Sequence, residues 1–247
     1  MNKLKIVAVF AALLFIIVLN GCAGKEDGTI SPVGAYTYMD TFKDGDETYL
    51  EVNVEYPKFS GEEGRVDNIN SFFENLAEHE RNNVEENIAP LAREGYIFAR
   101  DNDLPFLGCS YEIAWQIKRS DEKCVSVWCD KYENLGGVHP TASAKAYNFD
   151  SDGDLITLGE LFKSDDYLDI IIPIILDRIK ASDEEDMYYL GLEDIMAQSY
   201  SAEDFLVSDD GIKIFFQPYS IAPYAAGMPA FDISWSEIGD YITDEWK

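Results

Sequence analysis

The chain has 247 residues, 47 of them Asp or Glu and 19 Lys or Arg, for a formal charge of -28. Apolar residues make up 47% and aromatics 13%, enough to build the core of one or two domains, so wholesale disorder is excluded despite the charge. So acidic a chain also excludes nucleic-acid binding, which needs clustered Lys and Arg against phosphate, and charge-driven docking on anionic lipid; cationic partners are favoured.

Lys3 and Lys5 precede 14 apolar residues, Ile6 to Leu19, and then Asn20-Gly21-Cys22. Fourteen residues at about 1.5 Å each span roughly 21 Å, short of a hydrocarbon core of roughly 30 Å, so residues 1–21 read as a secretion signal. Leu19-Asn20-Gly21-Cys22 resembles the bacterial lipobox, although Asn20 departs from its usual small residue. That resemblance implies cleavage before Cys22, lipidation of Cys22, and a chain anchored in the cell membrane on its extracytoplasmic face. Ordinary cleavage with an unmodified Cys22 and an uncleaved anchor are the alternatives. Residues 22–33, polar around Lys25-Glu26-Asp27, read as a tether.

Leu50, Val52, Val54 and Tyr56 alternate with Glu51, Asn53 and Glu55, the signature of a half-buried strand over Thr48 to Tyr56. Val66, Ile69, Phe73, Leu76, Val84, Ile88 and Leu91 form the stripe of a long amphipathic helix. Its polar middle, Glu78 to Glu86, predicts a bend or a stretch crossing solvent. Tyr111 to Ile117 and Val125 to Cys129 alternate around Ser120-Asp121-Glu122, predicting an antiparallel hairpin. A second hairpin is expected from Ala142–Phe149 and Leu155–Leu158 about the turn at Asp152-Gly153. Ser164 reads as the N-cap of a buried helix from Leu168 to Ile179, kinked at Pro173. An acidic helix around Met187 to Gln198 and strands at Asp204–Val207, Ile212–Phe216 and Phe231–Trp235 complete an α+β fold of antiparallel hairpins packed on helices.

Beyond Cys22, the cysteines are Cys109, Cys124 and Cys129, an odd number that cannot all pair within one chain. Cys124 and Cys129 stand five apart in one apparent strand, roughly 16 Å along it and on opposite faces, which opposes a bridge between them. Burial as a small hydrophobe is the expectation for Cys129.

Gly136-Gly137-Val138-His139-Pro140, with Tyr147-Asn148-Phe149-Asp150 and Leu155-Ile156-Thr157-Leu158 after it, resembles a segment of the RsiV-type extracytoplasmic domain. The ending, from Phe205-Leu206-Val207 through Phe215-Phe216-Gln217-Pro218-Tyr219 to Ile221-Ala222-Pro223-Tyr224-Ala225-Ala226-Gly227, is similar to that family's. The part before it looks like the companion domain found ahead of the catalytic domain in PdaC-type polysaccharide deacetylases. The resemblance implies a PdaC-like part over 34–120 and an RsiV-like part over 121–247, or one composite domain. In the RsiV-type anti-sigma factor the ectodomain binds lysozyme. The resemblance stops short of that factor's transmembrane helix and sigma-binding segment, which leaves binding rather than signalling as the expectation.

Gly136 and Gly137 give a tight loop its backbone freedom and Pro140 fixes the chain after His139, so His139 is a candidate recognition residue; a purely architectural connection explains the same glycines. Gln217, Tyr219 and Tyr224, in a loop shaped by Pro218, Pro223 and Gly227, are candidate ligand-binding residues because rigid Tyr rings give contact area at low entropic cost. Packing of that loop onto the sheet is the competing reading.

Asp150-Ser151-Asp152-Gly153-Asp154 begins like a calcium loop but has Leu161 where the bidentate Glu belongs. His79-Glu80-Arg81-Asn82-Asn83 has Asn where a zinc protease needs its second His. No nucleophile elbow, phosphate loop or dinucleotide fingerprint is present, so neither catalysis nor a metal or other cofactor is expected. The expected partner is a lysozyme-like cationic extracellular protein; the alternative is an accessory protein that binds or modifies cell-wall polysaccharide.

Overall fold

The computed structural model describes residues 30–246 apart from residue 202; the expected signal, Cys22 and most of the tether lie outside the described residues. The chain opens with a long hairpin, β1 (Ser31–Asp44) and β2 (Glu47–Ser60), closed at Gly45, whose φ of 64° suits the first position of a tight turn. Ser31 to Val33, expected in the tether, are thus already strand.

β2 and β3 (Cys109–Ser120) pair in parallel, an arrangement that requires a crossover. The crossover is one helical run: α1 (Arg65–Asn83), a π-turn over Val84–Ile88, and α2 (Ala89–Asp101). Within the polar middle, where a bend or a stretch crossing solvent was expected, lies the start of the π-turn, in which the Ala89 N–H reaches back five residues to the Val84 carbonyl. One extra residue in that turn advances the apolar stripe, so the buried positions beyond Val84 are Ala89, Ala92, Tyr96 and Ala99. Leu91, expected in the stripe, is exposed.

β3 and β4 (Val125–Asn134) form the predicted hairpin, and β5 (Thr141–Phe149) pairs antiparallel with β4. The strand order is therefore β1-β2-β3-β4-β5. The sheet runs through residue 120, so the expected division at 120/121 falls within the β3–β4 hairpin. The second predicted hairpin does not form. After Phe149 the turn is held by Asp150 Oδ1, which accepts the N–H groups of Asp152 and Asp154 at 2.9 Å. Only Leu155 then bridges to Phe149 before a Thr157/Glu160 capping box starts α3 (Leu158–Leu161).

α4 (Leu168–Ala181) continues through Pro173, an exposed position where the missing N–H faces water. Ser164 does not cap it; its hydroxyl accepts the Asp166 N–H in the preceding turn. α5 (Leu192–Ser199) leads to a three-stranded antiparallel sheet of β6 (Phe205–Val207), β7 (Gly211–Phe215) and β8 (Ala230–Ser234), followed by α6 (Trp235–Ile238).

Alternation decides the layers. Leu50, Val54, Tyr111, Val127 and Phe149 turn to one face of the large sheet, where they meet Ile69 and Phe73 of α1. Ala144 and Ala146 turn to the other face, where Leu206 and Phe215 of the small sheet cover them. The far side of the small sheet packs on α4 and α5 through Phe205, Ile214, Ile171 and Ile175. Cys109, Cys124 and Cys129 are buried free thiols. Burial raises all three above the ordinary thiol range, Cys124 to about 11, so they remain protonated at neutral pH.

Candidate functional site

Two loops meet at one end of the β4–β5 hairpin. The first, between β4 and β5, turns at Gly136 with φ 82°, a left-handed conformation that suits glycine. The second, between β7 and β8, is anchored at its middle: Ile221 and Ala222 are buried, and the Ile221 carbonyl accepts the Tyr189 N–H at 3.0 Å. On either side of that anchor stand Tyr219 and Tyr224. Pro223 leads into a 3-10 turn, Tyr224–Ala226, that ends at Gly227 with φ 67°. Packing thus accounts for Ile221 and Ala222, which turn inward, while Tyr219 is exposed and Tyr224 half-buried.

The tyrosines complete a stack. The His139 ring lies on Tyr224 at 5.1 Å and 17°, and Tyr219 lies on Tyr224 at 5.6 Å and 29°. The Tyr224 hydroxyl donates to the Pro140 carbonyl at 3.0 Å, tying the two loops together. Tyr219 is 58% exposed and has φ 69°, a strained value for a residue with a side chain. Beside the stack is a cleft of about 440 Å³ lined by Asp130, Tyr132, Ala142, Pro218, Tyr224 and Met228. The arrangement offers flat aromatic faces next to the carboxylate of Asp130, which suits the stem and head group of a cationic side chain.

Gln217 stands apart from this group. Its amide oxygen accepts the Ala144 N–H at 3.3 Å, and its amide nitrogen donates to the Ala144 carbonyl at 2.8 Å and to Asp204 Oδ1 at 3.2 Å. It caps the open edge of β5, a structural role. Sequence reasoning missed Asp130, Tyr132 and Met228, which no spacing connects to the loops.

Residues 44–142 match the family model described as "Deacetylase PdaC", and residues 159–236 match "Protein of unknown function (DUF3298)". In fold the chain is similar to a DUF3298 family protein of Bacteroides fragilis, with TM-score 0.63 and 16% identity over 89% of this chain and 96% of that one. It is also similar to one of Pseudomonas aeruginosa, with TM-score 0.54 and 13% identity over 88% and 95%. Among curated proteins, "Immunogenic protein MPT64" of Mycobacterium tuberculosis and "Immunogenic protein MPB64" of Mycobacterium bovis are 31% identical over 98 residues. That stretch is 39% of this chain and 42% of theirs, so the chain spans under half the length of those relatives. His139 falls in the PdaC segment, and Tyr219 and Tyr224 in the DUF3298 segment. The aromatic stack thus joins the two.

Proposed function

We propose that this is a lipid-anchored extracytoplasmic protein whose His139–Tyr224–Tyr219 stack forms a non-catalytic recognition face for a cationic, lysozyme-like protein. The observation that carries this reading is the stack itself. Two loops far apart in sequence are tied together by the Tyr224–Pro140 hydrogen bond, and they hold the His139 and Tyr219 rings exposed, Tyr219 on strained backbone, beside a largely apolar cleft that carries Asp130 and Lys131. Strain at an exposed ring contributes nothing to packing and is a feature of binding sites. The charge of -28 supports the same class of partner, since it steers a cationic protein toward the domain and raises the on-rate at low salt. The resemblance of the C-terminal segment to the RsiV-type ectodomain points the same way, and the lipobox-like Leu19 to Cys22 supports the anchor.

Lysozyme is the probe. The full-length chain in lipid nanodiscs is expected to bind it in calorimetric titration, more weakly as salt rises. Tyr219→Ala and Tyr224→Ala should each cost about 1–2 kcal/mol of binding with the fold retained. Wild-type affinity in both variants would refute the recognition face.

A further inference from the structure

A second cleft, of about 800 Å³, opens along the β5 edge of the large sheet, lined by α1 on one side and by residues 155–157 and 203–204 on the other. Its apolar corner is the pair Phe72 and Tyr147, with ring centroids 5.1 Å apart at 63°. Tyr56 also lines it and is only 2% exposed, yet its hydroxyl makes no hydrogen bond with any described residue; the Tyr147 hydroxyl is equally unpartnered. Neither hydroxyl is sealed from solvent, so both open into the cleft, where a ligand can take the place of water as their partner. Burial pushes both phenols far above their ordinary range, so they are neutral donors at any physiological pH.

The acceptors come from the two sides. Glu80 on α1 uses Oε2 to accept the Tyr111 hydroxyl at 2.5 Å and the Asn83 amide at 3.3 Å. Across the cleft, Asp204 uses Oδ1 to accept from Gln217. In each carboxylate the second oxygen is left for a ligand. The two lysines in the lining are already engaged: Lys145 pairs with Glu203 at 3.1 Å, and Lys131 pairs with Glu133 at 3.1 Å while sitting over the Tyr111 ring. An anion would therefore find, among the basic side chains of the lining, only His79 outside an ion pair, with the carboxylates of Glu80, Glu203 and Asp204 in the same lining, and a simple hydrocarbon would leave the phenols and carboxylates unpaired. A ligand with an apolar ring face and hydroxyls at its rim satisfies every group.

We propose that this cleft binds a neutral saccharide, with one ring against the Phe72–Tyr147 corner, its hydroxyls donating to Glu80 and Asp204 and its oxygens accepting from Tyr56 and Tyr147. The proposal does not rest on the cationic-partner reading, because Tyr219 and Tyr224 lie outside this cleft. Calorimetric titration of the full-length chain in nanodiscs with cellotriose and with the N-acetylglucosamine trimer tests it. Saturable binding of at least one sugar is expected. Tyr147→Phe and Tyr56→Phe, which remove single hydroxyls, should each raise Kd about five- to tenfold. Tyr56→Phe should melt no lower than wild type, since it deletes an unpaired group, whereas Tyr219→Ala and Tyr224→Ala should leave sugar binding unchanged. No heat with either sugar at millimolar concentration, unchanged Kd in both Phe variants, loss of sugar binding in the loop variants, or preferential binding of inorganic phosphate would each overturn the assignment.

Discussion

The buried side chain of Asn148, on β5, accepts the Val207 N–H at 2.9 Å, and its amide donates to the Phe205 carbonyl at 2.9 Å. An amide thus pairs with β6 as a strand backbone would, fastening the small sheet to the large one. Gln217 repeats the device from the other side by pairing with the backbone of Ala144. Replacing Asn148 with Leu leaves two buried backbone groups without partners, and the expected loss is about 3 kcal/mol in urea denaturation. A loss under about 1 kcal/mol would mean that the sheets are held by Trp128, Phe215 and Leu206 alone.

Gly153 and Gly136 separate two reasons for a glycine. Both have φ near 80°, at 81° and 82°. A Cβ on Gly136 would meet nothing, whereas on Gly153 it would lie 2.5 Å from the Arg65 carbonyl oxygen. Arg65 is itself buried and donates to the carbonyls of Asp150, at 3.2 Å, and Asp121, at 2.8 Å, so it cannot withdraw without loss. Gly136→Ala should cost about 1 kcal/mol, from backbone conformation alone, and Gly153→Ala about 2 kcal/mol or more. Equal losses would show that the Arg65 contact relaxes freely.

Two carboxylates should move stability with pH in opposite senses. Partial burial raises the Asp121 carboxyl. It is outweighed by the hydrogen bonds from Arg119 and from the Cys124 and Lys123 N–H groups, and by the Arg119 charge, so the group titrates below its usual 3.8. A carboxylate that holds its proton less tightly when folded stabilises the fold above the ordinary value, and that contribution is lost as pH falls through the depressed one. Asp121→Asn should therefore be less stable than wild type at pH 7, with the gap closing in acid below the ordinary value. Asp204 runs the other way: burial, despite Gln217 and Lys145, holds its carboxyl above 3.8, so ionisation costs stability that acidification restores. Asp204→Asn keeps an acceptor for Gln217, should be the more stable protein at pH 7, and should lose that advantage as pH falls through the raised value. Urea melts across pH decide both, and a pH-independent difference in either variant would refute its assignment.

The anchor is tested separately. Cys22→Ala is expected to abolish labelling by a fatty-acid probe and to move the protein out of the mature membrane fraction, since acyl chains on that thiol would supply the attachment. Persistent labelling would place the lipid elsewhere or nowhere.

What the sequence disclosed follows from where each signal lies. β2, β3 and β4 were legible because one face is buried and alternation is strong. β1 was not, because only Tyr38 of its 14 residues is buried and an edge strand needs no apolar alternation. The Leu155–Leu158 stretch alternates like a strand, but the Thr157/Glu160 capping box commits it to a helix before pairing can extend. The loops at Gly136 and Pro218 announced themselves through glycine, proline and aromatic residues, while the role of Gln217 depends on a β5 edge that only topology reveals. The saccharide cleft had no sequence signal, since Tyr56, Glu80, Tyr147 and Asp204 come from separate elements.

The π-turn supplies the last prediction. A straight α-helix from Val66 would continue its apolar stripe to Ile88 and Leu91, whereas the five-residue step from Val84 to Ala89 hands the core positions to Ala92 and Tyr96. Pro90, two residues into α2, cannot donate a helical hydrogen bond and crowds the preceding turn, which favours the wider step at that place. Leu91 is 53% exposed and Ala92 1%, so their substitutions should rank against hydrophobicity. Leu91→Ser should change stability by no more than about 0.5 kcal/mol, while Ala92→Ser, the smaller chemical change, should cost about 1–2 kcal/mol by placing a polar hydroxyl against the packed core. The reverse ranking in denaturant melts would mean that the helix runs in regular α register through Val84 and that Leu91 faces the sheet.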